Sequence, residues 1–205
     1  RSGPAVRGAT EGGLSLIAIG ASTGGTEAIE QIFRALPPWM PPIVAVQHIP
    51  AGFSKAFADR LNRLCSLEVR EATGGEIIQP GLALLAPGNF HMRLARAGGR
   101  YRVSIDEGPR VCYQRPSVDV LFESIAAGAP SRAAALLLTG MGSDGAAGMK
   151  RLRALGVRTI AQDEQSCAVF GMPREAIRIG GVDEVLPLDR MAQRLITLAA
   201  GRAAG

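Results

Sequence analysis

Cysteine is scarce in this chain, and histidine is scarcer. The three cysteines, Cys65, Cys112 and Cys167, are odd in number and far apart, with no C-x-x-C pair. That argues against a disulfide framework or a thiolate metal cluster, and reads as free thiols in a reducing cytoplasm. Two histidines, His48 and His91, leave little from which to build a His-rich centre, so no metal is expected. Aromatic residues make up only 4% of the chain, and its net charge of +5 is spread without any basic run. Lacking stacking platforms and a concentrated positive strip, it is not expected to bind nucleic acid; the scattered charge suits solubility or the steering of an acidic partner. No apolar run approaches the roughly 20 residues that span a bilayer, and the first residues lack the apolar core of a secretory signal. A cytoplasmic protein without membrane insertion is the expectation.

What the chain does have is enough apolar material for one substantial core: 47% of 205 residues are hydrophobic, so a single domain is the default. Its most informative segment runs from Leu14 to Gly25. A largely apolar stretch, Leu14 to Ile19, stops at Gly20, and Ser22 follows within Gly20-Ala21-Ser22-Thr23-Gly24 before a helix-like stretch from Thr26. A strand, a tight turn and a helix can hold a serine hydroxyl beyond the strand's carboxyl end, close to free N–H groups at the helix start. Such a hydroxyl can attack a carbonyl, and the N–H groups can stabilise the oxyanion. G-x-S-x-G alone leaves three readings open: a nucleophile, a phosphate-binding turn, or a turn that only packs a helix on a sheet. The dinucleotide version of the second fails on two counts. Ser22 stands where a second glycine belongs, and the next strand ends in Gln47-His48 where an acid for a ribose hydroxyl is needed. A P-loop fails because no Gly-Lys-Ser/Thr follows.

Downstream, strand-like and helix-like segments alternate. Residues Arg1 to Gly13 read as a linker. Helices are expected at Thr26–Leu36, Phe53–Leu64, Val118–Ala127, Ala146–Leu155, Pro173–Ile179 and Met191–Ala199. Strands are expected at Ile43–Gln47, Leu67–Val69, Leu82–Ala86, Ala134–Leu138, Thr159–Ala161 and Glu184–Leu186. His91–Ala95 and Tyr101–Ile105 flank Gly98-Gly99, a hairpin signature. The expected architecture is a three-layer α/β/α domain, doubly wound around a mostly parallel sheet, with a small antiparallel β-hairpin.

In such sheets the working groups gather at the carboxyl ends of strands. Ser22 follows the first strand, His48 the second, and Asp144 lies in the glycine-rich turn Thr139 to Gly145 after the strand Ala134–Leu138. A histidine to take the serine proton and an aspartate to orient that histidine would complete a nucleophilic site. Each also has a plainer role: His48 as a turn hydrogen bonder, Asp144 as an N-cap of the helix that follows it. Asp119 is a rival third member, in or beside the first turn of its helix.

Several long motifs, in order, carry a resemblance. Ile17 to Thr26, Gln47-His48-Ile49-Pro50, Phe53 to Asn62, Arg115 to Phe122, Leu138 to Gly145 and Phe170 to Pro173 together resemble the chemotaxis protein-glutamate methylesterase family (CheB), from about Leu16 to Met191. The resemblance implies a serine esterase, without cofactor, that hydrolyses glutamyl γ-methyl esters on the cytoplasmic helices of methyl-accepting chemoreceptors and deamidates particular receptor glutamines. By motif, Ser22 matches the nucleophile, His48 the base and Asp144 the orienting acid, with Thr23 and Met141 as active-site neighbours or oxyanion donors. The family's substrate helices are commonly acidic around their modification sites. Its members usually carry an N-terminal receiver domain, absent from this chain, so residues 14–200 are expected to be the catalytic domain, and a monomer. The alternative is a non-catalytic module that binds receptors or nucleotides through the same turn. Gly88 to Met92 also resembles a family stretch, but a structural hydrogen bond is the favoured role for His91. Arg115 reads equally as a contact to the substrate backbone or its anionic neighbours or as a partner in a structural salt bridge, and Phe170 and Met172 read as core.

Overall fold

The computed structural model describes residues 13–128 and 132–201, so the expected linker lies outside the described residues except for Gly13. The elements follow the chain as β1 (Leu16–Ala21), α1 (Gly25–Ala35), β2 (Ile43–Gln47), α2 (Phe53–Leu64), β3 (Glu68–Glu71) and β4 (Leu82–Leu85). Next come β5 (His91–Ala97), β6 (Arg100–Asp106), α3 (Val118–Gly128), β7 (Ala133–Leu137) and α4 (Ala146–Ala154). The chain ends in β8 (Arg158–Gln162), α5 (Met172–Arg178), β9 (Glu184–Leu186) and α6 (Leu188–Ala199).

Seven strands form one parallel sheet in the order β3-β4-β2-β1-β7-β8-β9. The central strands β1, β2, β4 and β7 are buried at every position, as strands covered on both faces must be, whereas the edge strands β3 and β9 alternate or expose their side chains. Helices α1, α2 and α6 cover one face around Ile29, Phe33, Leu61 and Leu195. Helices α3, α4 and α5 cover the other around Leu121, Phe122, Met149 and Ala176. The expected doubly wound α/β/α architecture is therefore present. β1 is set two residues later than the apolar run suggested, because its ladder to β7 begins at Leu16 and continues to Ala21 on the β2 side.

β5 and β6 pair antiparallel about Gly98-Gly99, where φ of 59° and 78° meets the demand of a two-residue turn for positive φ at both central residues. This hairpin lies on α3, burying Met92, Leu94 and Val103 while Arg102 and Ser104 face outward. Helix α3 is consequently covered on its sheet side and its outer side, which accounts for its almost continuously apolar first turns, Val118 to Phe122.

β1 lies between β2 and β7, so the chain leaves its end toward one neighbour and returns later on the other side. That topological switch point opens a crevice at the strands' carboxyl ends, where Ser22, His48 and Asp144 all fall.

Candidate active site

Ser22 is held by its backbone from both sides. Its N–H donates to Thr139 O at 2.9 Å, beyond β7. Its carbonyl accepts from Gly25 N–H and from Gln47 Nε2, both at 2.8 Å. The parallel register that pairs Ala21 with Gln47 sets the next residues, Ser22 and His48, side by side, and His48 N–H closes on Ala21 O at 3.0 Å. Gly140 permits the β7 side to approach: a Cβ there would lie 2.6 Å from Ser22 Cβ and 2.4 Å from Met172 Sδ.

Above the end of β1, His48 Nε2 and Asp144 Oδ2 are 2.7 Å apart, with side chains only 6% and 2% exposed. An ionised carboxylate can only accept, so Nε2 carries a proton, and in the neutral imidazole Nδ1 is then the acceptor. That Nδ1 is buried and has no hydrogen-bond partner among the described residues. Ser22 Oγ is not bonded to it here, and contacts of this kind commonly tighten only with substrate in place.

Asp144 does not cap the helix it precedes, as its sequence position allowed; Gly145 occupies that N-cap without a side-chain bond. It caps α3 instead. Oδ1 accepts from Ser117 Oγ–H at 2.8 Å and Asp119 N–H at 2.9 Å, and Oδ2 accepts from Val118 N–H at 2.8 Å as well as from His48. Ser117 Oγ in turn takes Val120 N–H at 3.3 Å. The first N–H groups of a helix have no partner within it, and here a carboxylate fills that need with its charge at the positive end of the helix dipole. Burial pushes the Asp144 carboxyl up, but the bond from His48 and those from Asp119 and Val118 N–H outweigh it and hold it below the ordinary aspartate range. Asp144 is thus an ionised group facing an imidazole.

Asp119, the rival, stands in the first turn of α3 as expected, but its Oδ1 accepts Gly148 N–H at 2.8 Å and it makes no bond to His48. Burial raises its carboxyl, Gly148 N–H opposes that, and the neighbouring Asp144 charge raises it again. The thiols are free, and none is primed as a nucleophile: burial is the first cause that raises Cys65 and Cys112, and it pushes Cys167 up to about 11. Cys112, Asp119 and Asp144 bring three possible ligand atoms within 4.8 Å of one another. However, both oxygens of Asp144 are spent on N–H and O–H donors that a cation would have to displace.

Thr23 and Met141 flank Ser22 from the two turns. Both are exposed, and their N–H groups donate to no partner among the described residues. Met141 also walls an open cleft of about 530 Å³ with Val169, Phe170 and Arg174. Phe170 is half-exposed as part of that cleft's lining and not core as expected; only its backbone pairs inward, with buried Gly140. Met172 is fully buried as expected. Arg115 makes no salt bridge among the described residues, contrary to the expectation of one; it donates to neutral acceptors, Asn89 Oδ1 and the carbonyls of Glu107 and Gly108. His91 is fully buried and hydrogen-bonded to Pro109 O at 2.8 Å, the structural role favoured for it. Sequence reasoning passed over Gln47, whose amide steadies Ser22, and Ser117; a serine directly before a helix signalled only a cap.

The family model described as CheB methylesterase matches residues 17–195. The protein-glutamate methylesterase/protein-glutamine glutaminase of Pectobacterium atrosepticum is 55% identical over 189 residues, which are 92% of this chain and 54% of that protein. A second such protein, from Syntrophus aciditrophicus, is 51% identical over 193 residues, 94% of this chain and 56% of its own length. The chain thus spans about half the length of the curated relatives it matches. The crystal structure of the Thermotoga maritima CheB methylesterase catalytic domain superposes with a TM-score of 0.87 at 39% identity, covering 90% of this chain and 98% of that one. A family model matched over residues 17–195, relatives more than half identical over nearly the whole chain and a solved structure superposing at a TM-score of 0.87 lead to one conclusion: the chain belongs to the CheB methylesterase family.

Proposed function

We propose that this chain is a serine hydrolase that demethylates glutamyl γ-methyl esters on the cytoplasmic helices of chemoreceptors and deamidates receptor glutamines, serving chemotaxis adaptation. The observation that carries the reading is the state of His48. Its Nε2 is committed to an ionised Asp144, and its buried Nδ1, the acceptor of the neutral ring, has no partner among the described residues and lies one register step from Ser22.

In this reading Nδ1 takes the Ser22 proton as Oγ attacks the ester carbonyl. Asp144 steadies the imidazolium that forms, and the N–H groups of Thr23 and Met141 receive the oxyanion. The proton then passes to the methoxy oxygen and methanol leaves, so Ser22 holds the glutamyl acyl group. Water, deprotonated at the same nitrogen, attacks that ester; glutamate departs and Ser22 regains its proton. With a glutamine, ammonia leaves in place of methanol. No cofactor is needed. An open cleft beside Met141 and Phe170 suits an ester on the outside of a helical bundle. Residues 14–200 are the catalytic unit of this proposal, acting as a monomer, and a receiver domain is the regulatory partner in the full-length protein.

The test is methanol release from methylated receptor, with ammonia release from the receptor glutamines. Release of both supports the proposal. Tight nucleotide binding with no methanol release would replace it with a non-catalytic signalling module.

A further inference from the structure

Asp144 is held by a chain of buried groups whose donor directions are all forced. Ser117 and His91 are both fully buried. Ser117 Oγ accepts Val120 N–H, and its one proton goes to Asp144 Oδ1 at 2.8 Å. Ser117 N–H donates to His91 Nδ1 at 3.2 Å. The His91 proton must then lie on Nε2, which donates to Pro109 O at 2.8 Å. The sequence Pro109–His91–Ser117–Asp144–His48 is continuous, and it reaches from the hairpin to the imidazole that faces Ser22.

We propose that Ser117 is a positioning residue for the hydrolysis reaction, acting on His48 through Asp144 and braced by His91; this rests on the hydrolase reading above. Turning the carboxylate about its Cβ–Cγ bond would break the Ser117 and Asp119 donations together, so Oδ2 stays on His48. The Ser117 proton also draws charge from Oδ1 and lowers the basicity that Asp144 presents to His48. Other ionisable groups facing this site are Asp119 of α3, Cys112 before it and, beside His91, Asp106 of β6. None of them donates to Asp144, so among the described residues Ser117 is the one side-chain donor other than His48 that sets its state.

The test is an NMR titration of the His48 ring, which is tractable because the chain has two histidines. Ser117→Ala is expected to move the His48 midpoint upward by roughly half a pH unit and to lower kcat about tenfold with KM unchanged. Ser117→Thr, which keeps the hydroxyl, returns the midpoint toward that of the parent chain, and His91→Phe shifts it as Ser117→Ala does. A folded Ser117→Ala protein with an unmoved midpoint overturns the proposal, even if its stability or active fraction is lower, because a merely structural residue would behave so. Should Ser117→Ala not fold, Ser117→Cys keeps the volume and donates weakly; a raised midpoint then supports the proposal and an unmoved one overturns it. Absence of methanol release by the unmutated chain rejects the hydrolase reading separately, since the titration reports the Ser117–Asp144–His48 coupling without turnover.

Discussion

His48 and Val118 share one oxygen of Asp144: the ring Nε2 lies 2.7 Å and the backbone N–H 2.8 Å from Oδ2. The group that bonds the imidazole is therefore the group that closes the amino end of α3, and in the proposed hydrolysis catalysis and helix capping would depend on one charge. A buried carboxylate costs several kcal/mol to desolvate. Charge-assisted hydrogen bonds contribute about 1.5–3 kcal/mol each, so the four donors on Asp144 offset that cost. Removing the charge should damage both roles.

Asp144→Asn should lower turnover by about 10³-fold or more, because the His48 tautomer and its charged form both lose their partner. Asp119→Asn should change turnover by less than about tenfold, since that carboxylate bonds Gly148 and not His48. Steady-state kinetics at matched folded fraction decides. The reverse ranking would move the orienting role to Asp119.

The two aspartates should also leave opposite marks on stability against pH. The Asp144 carboxyl lies below its ordinary value, so its contribution is present above about pH 3.9 and is lost as pH falls through the lower folded value. The Asp119 carboxyl is raised, so its contribution is present below that pH and is lost as pH rises through the folded value. Urea midpoints measured from pH 3 to 7 should show a shallower acid loss in Asp144→Asn and a shallower loss on the rising side in Asp119→Asn. Parallel curves for both variants and the parent chain would contradict this.

Gly140→Ala should disable the site without touching an ionisable group. The new methyl would lie 2.4 Å from Met172 Sδ and 2.6 Å from Ser22 Cβ, so Ser22 or the turn must move. A loss of about 1–3 kcal/mol in stability and at least tenfold in turnover is expected, read by thermal melts and methanol release. Unchanged turnover would mean that Ser22 tolerates displacement.

Arg174 stands exposed at the cleft, and its contact with Glu175 is long, 3.9 Å. An acidic substrate helix would meet this cation first. Demethylation should slow as salt rises, and Arg174→Glu should lower kcat/KM by about three- to tenfold at low salt and much less at high salt. Small esters, which lack remote binding energy, should be poor substrates in any salt. Salt-independent turnover by both proteins would remove the steering argument.

Much of this architecture was legible in the sequence, for identifiable reasons. Apolar runs such as Ile43–Gln47 are long enough to mark strands buried on both faces, and Gly98-Gly99 marks its own turn. Ser22, His48 and Asp144 could be set at strand ends because βα alternation is a local pattern. Strand order is not local, and nothing near Leu16 announces that β7 will lie beside it. The helix that Asp144 caps was hidden for the same reason. Its neighbours invited a cap on α4, whereas the N–H groups it accepts from belong to residues 25 and 26 positions earlier. Phe170 misled because an apolar residue two positions from a buried methionine reads as core until the fold shows it lining the cleft.

The central claim is that Ser22 forms the acyl intermediate with His48 Nδ1 as its base. The measurement that tests it most directly is methanol release from methylated receptor by the parent chain and by Ser22→Ala, at equal concentration and with matching thermal melts. The predicted result is loss of nearly all turnover in Ser22→Ala, down to the residual rate that oxyanion stabilisation and binding alone can sustain. Undiminished methanol release by folded Ser22→Ala would contradict covalent catalysis at this serine.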